Sequence, residues 1–146
     1  MKYSLLAWCY NNSMRKTKIN SNQFAKRLGA YSHGYKIDIG DTSLIFTTGQ
    51  IALDREGNVL YPDDPTKQAE YIYESLGKIL QEAGATLDDV IKTAVYLTDM
   101  NDFSKISAVR NKYFKHAEPV STLVEVSNLV KPGCRVEIEV IAAVKK

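Results

Sequence analysis

Apolar and polar residues alternate through Tyr35, Ile37 and Ile39, the Gly40-Asp41 pair interrupts the run, and Leu44-Ile45-Phe46 follows. A two-residue period broken by a turn dipeptide predicts a β-hairpin. Beyond residue 64 the period lengthens. Ile72, Leu76, Ile79, Leu80 and Ala83 recur every three or four positions, the stripe of a helix with one face on a core. Asp64 is placed to cap the first free amides, Pro65 suits the first helical position, and Gly84 supplies the stop. The stretch 90–98, rich in β-branched residues, predicts a strand. Phe103, Ile106, Val109 and Tyr113 predict a second helix, capped by Asp99 or Asn101 and ended before Pro119. Strands over 120–126 and 135–144 complete the order ββ-α-β-α-ββ.

That order describes an α+β domain in which two helices cover one face of a single mixed sheet. In the last strand Val136, Ile138, Val140 and Ala142 form one face, and Glu137, Glu139, Ile141 and Ala143 form the other. Both faces are partly apolar, so the helix-free face is expected to be covered by sister subunits in a closed homo-oligomer, with its carboxylates along the seam.

Composition narrows the class. A chain of 146 residues, 45% hydrophobic and 25% charged, buries enough surface to fold as one domain without disulfide or metal staples. Cys9 and Cys134 form no CxxC pair, and with only His33 and His116 beside them they write neither a zinc cluster nor a disulfide framework. A reducing, cytoplasmic setting fits. The longest apolar run, 5–10, falls far short of a membrane span, so no membrane partner is expected. The net charge of +2 conceals an asymmetry: residues 1–37 hold seven bases and no acid, and all 17 acidic residues follow. An acidic body without a basic stripe argues against nucleic acid as a partner. Residues 1–13 read as an N-terminal extension, an untethered tail or an upstream start, ahead of a single domain over 14–146.

Four segments carry a resemblance. Gly29-Ala30-Tyr31-Ser32-His33-Gly34, Thr48-Gly49-Gln50-Ile51, the run from Tyr96 to Phe103 (YLTDMNDF), and Val136-Glu137-Ile138-Glu139 stand in the order and spacing of the RidA family, also called YjgF, from about Met14 onward. The resemblance implies a homotrimer of chorismate-mutase-like domains with a small-molecule pocket at each subunit interface. It also implies hydrolysis of reactive imines and enamines to a 2-keto acid and ammonia, with no metal or organic cofactor. By matching positions, Tyr31 would lie over the substrate, the Gly49 backbone would border the pocket, and Glu137 would orient or activate water.

One position departs from the family pattern. Where deaminating members read Pro-Ala-Arg-Ser and hold the substrate carboxylate with the arginine, this chain reads Pro119-Val120-Ser121-Thr122. Exchanging two parallel charge-assisted bonds for one neutral bond removes about 2–3 kcal/mol of anchoring. Nearby, Ser107 stands where an asparagine is common and Leu123 where a smaller residue is common, and Arg110, one turn beyond Ser107, is a candidate substitute cation. Three functions follow. The chain hydrolyses imines or enamines, with a relaxed anchoring mode or on an uncharged substrate, or it binds a different small molecule with little or no turnover, or, against its charge distribution, it has the ribonuclease or translation-inhibitor activity attributed to some relatives. His33 reads as a solvated loop histidine and Cys134 as an unactivated thiol.

Overall fold

The computed structural model describes residues 14–146, so the extension expected over 1–13 lies outside the described residues. Six strands form one sheet in the order β1-β2-β3-β6-β4-β5: β1 (Arg15–Ile19), β2 (Gly34–Ile39), β3 (Thr42–Thr47), β4 (Val90–Leu97), β5 (Val120–Glu125) and β6 (Val136–Lys145). The sheet is mixed, with β4 and β5 parallel and every other pair antiparallel. Two helices, α1 (Pro65–Glu82) and α2 (Phe103–Tyr113), complete the fold. The α+β class therefore stands, and β1 is an addition to the expected order. Its sequence, RKTKI, contains one apolar residue and so carries no hydrophobic period; it pairs with β2 through the backbone, Arg15 opposite Asp38 and Ile19 opposite Gly34.

Helix α1 begins as its sequence dictates. The Asp64 side chain accepts the Lys67 amide at 3.0 Å and Pro65 opens the first turn. Gly84, at a φ of +81°, ends it in a conformation that costs glycine nothing. The stripe of Ile72, Tyr73, Leu76, Ile79 and Leu80 is wholly buried and joins Ile45, Val95, Ile106, Val136, Ile138 and Ala142 in one core. The entry to α2 uses one of the two expected caps, through an added 3-10 turn. Asp99, not Asn101, is the cap, accepting the Asn101 amide at 2.9 Å to start a short 3-10 turn over Met100–Asp102 that runs into α2. Asp102 makes no cap bond because its carboxylate is taken by Arg135, at 2.7 and 3.0 Å. Arg135 also reaches Asp99 at 3.1 Å, so the pair of aspartates in the 96–103 motif fastens the start of β6.

The helix-free face is an uninterrupted strip. Register places Tyr35, Phe46, Ile141, Lys92 and Val120 in one row across β2, β3, β6, β4 and β5, and Glu137, Tyr96 and Val124 in another. Phe46, Val120 and Val124 are exposed there. No helix among the described residues is long and apolar enough to cross a membrane.

Candidate functional site

The segment after β3 is held against β6 by a two-bond bridge: the Gln50 amide donates to the Ile138 carbonyl at 2.8 Å, and the Ile138 amide to the Gln50 carbonyl at 3.1 Å. This sets the Gly49 backbone against the Glu137 side chain. A Cβ on Gly49 would overlap Glu137 Oε1 and lie 2.9 Å from Cδ, so the carboxylate occupies space that only a glycine leaves. The position of Gly49 in the motif is thereby explained by contact, not by a left-handed backbone.

Tyr31 is brought to the same place by the loop ahead of β2. Its hydroxyl accepts the Leu28 amide at 3.1 Å, and its carbonyl accepts Arg27 Nη1 at 2.7 Å. The loop is fastened at His33, which is buried rather than solvated as its sequence context predicts. The His33 amide donates to Asn20 Oδ1 at 3.3 Å, Nδ1 accepts the Ser21 amide at 3.2 Å, and Nε2 lies 3.3 Å from the Ala25 carbonyl. With Nδ1 accepting, Nε2 carries the proton and donates. The His33 carbonyl in turn accepts the Thr48 amide at 2.9 Å. One histidine thus ties the Tyr31 loop to the residue preceding Gly49, and its ring stands edge-on to Phe24.

Tyr31, Gly49 and Glu137 line a single cavity of about 300 Å3, with Leu28, Ile51 and Val130 as its apolar wall. Burial, and secondly the charge of Glu139, push the Glu137 carboxyl up from its ordinary value, and no hydrogen bond opposes them. A raised carboxyl holds a proton more readily than an ordinary carboxylate, which suits a group that must both accept and return one. Among the described residues no three His, Cys, Asp or Glu side chains come together as metal ligands.

The other expected residues stand elsewhere in the chain. Ser121 pairs with buried Thr93 and Leu123 with buried Val95, so both point to the helix side of β5, whereas Glu137 points to the helix-free side. Leu123 packs against the core. Ser121 and Arg110 line a different cavity, about 520 Å3, together with Asn111, Lys115 and Glu118. Among the described residues the Arg110 guanidinium hydrogen-bonds only to Asn111 Oδ1, at 3.3 and 3.4 Å. Ser107 Oγ, one turn earlier on α2, is buried without a partner, as is Tyr73 Oη, pushed up from its ordinary value by burial. Cys134 is buried, which holds its thiol up as well. Sequence reasoning missed Gln68, fully buried, whose amide donates to the Leu60, Tyr61 and Gly133 carbonyls while its oxygen accepts the Arg135 amide. A polar residue inside an apolar helix stripe was the available signal.

Residues 22–144 match the family described as endoribonuclease L-PSP. The chain is 39% identical over 129 residues to a RutC family protein of Pyrococcus abyssi, covering 88% of this chain and 98% of that one. It is 33% identical over 131 residues to the 2-iminobutanoate/2-iminopropanoate deaminase of mouse, covering 90% and 93%. Among solved structures, a Rid-family protein of unknown function from Yersinia pestis superposes with a TM-score of 0.78 at 32% identity, over 89% of this chain and all of that one (100%).

Proposed function

This chain belongs to the endoribonuclease L-PSP family, the RidA/YjgF family that its motifs resemble, and from that footing we propose that it hydrolyses the C=N bond of small reactive imines at a pocket shared between subunits of a homotrimer. The observation that carries the reading is the seating of the Glu137 carboxylate in the space left by Gly49, beside Tyr31 in one cavity.

The chemistry is short. A water held by the Glu137 carboxylate gives up a proton to it as the oxygen attacks the imine carbon, and Glu137 passes that proton to the nitrogen, completing a carbinolamine. Glu137 then takes the carbinolamine hydroxyl proton and delivers it to the nitrogen as the C–N bond breaks, so ammonia leaves and the oxygen becomes the carbonyl of a 2-keto acid. A carboxyl raised by burial suits both halves of this shuttle. Tyr31 covers the planar substrate, and the Gly49 backbone borders it.

The shared pocket rests on strand alternation. A side chain at position 121 points away from Glu137 within its own chain, so the two meet only if one subunit lays its β5 edge against the neighbour's cavity. The exposed Phe46, Val120 and Val124 on the helix-free face supply apolar surface for that contact. Arg110, which like Lys115 shares a cavity with Ser121 and has no carboxylate partner among the described ion pairs, is a cation available for the vacated anchoring role.

A second reading, small-molecule binding with little turnover, is favoured by Ser121 itself, since a neutral hydroxyl holds a carboxylate less firmly than a guanidinium does. One assay separates the two. 2-Iminopropionate is generated by an amino-acid oxidase and trapped with semicarbazide; suppression of the trapped product by the protein supports hydrolysis, and an unaltered trapping rate supports binding alone.

A further inference from the structure

A third cavity, about 350 Å3, is lined by Lys26, Arg27 and Arg55 and by no carboxylate. It shares Ala25, Lys26 and His33 with the Glu137 cavity, so the two lie on either side of one strip of chain. The bonds these cations already make do not neutralise them. Arg27 donates to the Tyr31 carbonyl at 2.7 Å, and Arg55 donates through Nε at 3.0 Å and through Nη2 to the Asn22 carbonyl, all uncharged acceptors. No ion pair among the described residues involves Lys26, Arg27 or Arg55. Asp54, next to Arg55 in sequence, is turned instead to the Asn58 side chain and to the Glu56 and Asn58 amides.

Like charges gathered around a concave surface repel one another, and a bound anion relieves that repulsion. Two guanidinium groups and an ammonium also present donors to several oxygens of one group. We propose that the Lys26–Arg27–Arg55 cavity binds a doubly charged group of the phosphate-monoester class, carried by a small molecule whose other end enters the Glu137 cavity. Lys26 lines both spaces and stands at their junction. A dianion matches three cations better than a single carboxylate, which would leave twice the residual positive charge.

The test is an amide NMR titration of the full chain with inorganic phosphate and with glycerol 3-phosphate, at constant ionic strength against chloride, for wild type and Lys26→Gln. Among the described residues the Lys26 side chain makes no hydrogen bond or ion pair, so this variant is expected to keep the fold, and an unchanged spectrum elsewhere verifies that. Saturable shifts at Ala25, Lys26, Arg27, His33 and Arg55, extending with glycerol 3-phosphate to Gly49 and Glu137, with affinity lowered at least about fivefold in Lys26→Gln, are expected. Shifts that do not saturate, that spread to Arg15, Lys16 and Lys18 of β1, or that survive the substitution unchanged would overturn the proposal, as would an oligoribonucleotide that binds through β1 far more tightly than either phosphate. The titration requires no turnover, so a protein that binds phosphate here but fails the imine assay loses the hydrolytic reading and keeps this one.

Discussion

The Glu137 carboxylate stands where a Cβ on Gly49 would be. Because the atoms displaced by an alanine there belong to the far end of a flexible side chain, Gly49→Ala is expected to fold, losing no more than about 1–2 kcal/mol of stability. Imine hydrolysis is expected to fall about 100-fold as the carboxylate swings out. A folded variant with full activity would remove Glu137 from the chemistry.

Glu137 also fixes a pH dependence. Its carboxyl is pushed up in the folded state, so its contribution to stability is present below the ordinary carboxyl value and is lost as pH rises through the folded value. Glu137→Gln is therefore expected to melt roughly 3–5 °C above wild type at pH 7, about 1 kcal/mol after screening through the open cavity, with hydrolysis abolished. Melting curves of the two proteins should converge in acid; a constant gap would show that charge is not the cause.

If Arg110 has taken over from the missing arginine, Arg110→Gln raises KM for a 2-imino acid at least tenfold and leaves KM for an uncharged imine unaltered. Ser121→Arg lowers KM for the acid by a similar factor. Steady-state kinetics on both substrates decide the matter, and an identical effect on the two would show that Arg110 acts through packing.

His33→Ala should cost about 2–3 kcal/mol, from the lost ring and the unpaired amide of Ser21 and carbonyl of Ala25. Amide hydrogen exchange over 20–33 should quicken first, since those groups open without unfolding the sheet. Exchange that stays slow there would mean that Arg55 and Arg27 hold the loop unaided.

Val124→Glu places a charge in the exposed apolar row beside Glu137 and Tyr96. Light scattering should then report a monomer where wild type reports a trimer, and hydrolysis should disappear with the assembly. A monomeric wild type would end the seam reading.

Much of the frame was legible because its signals are local. The Asp64 cap, the apolar stripe of α1 and the β-branched run of β4 each announce themselves within a dozen residues. Strand β1 did not, because Arg15 to Lys18 are exposed and only Ile19 reaches the core, so this edge strand carries no apolar period and is held by backbone pairing and one apolar anchor. The site was legible in part. Tyr31, Gly49 and Glu137 do share a cavity, whereas the separation of Ser121 and Leu123 from them follows from the register of β5, which no stretch of sequence encodes by itself. The burial of His33 escapes a local reading for a related reason. Its burial depends on Phe24 and Asn20, contributed by a loop whose path is set by long-range contacts.

The strand order has a consequence for folding. Among the described strands β6 lies between β3 and β4 and pairs with both, so within the sheet it alone joins β1–β3 to β4–β5. Until β6 docks, β1–β3 and β4–β5 are two ribbons with no backbone pairing between them, each presenting an unpaired edge. Both pairings of β6 span long stretches of chain, so the sheet closes late, and its open edges are most exposed to aggregation before that step.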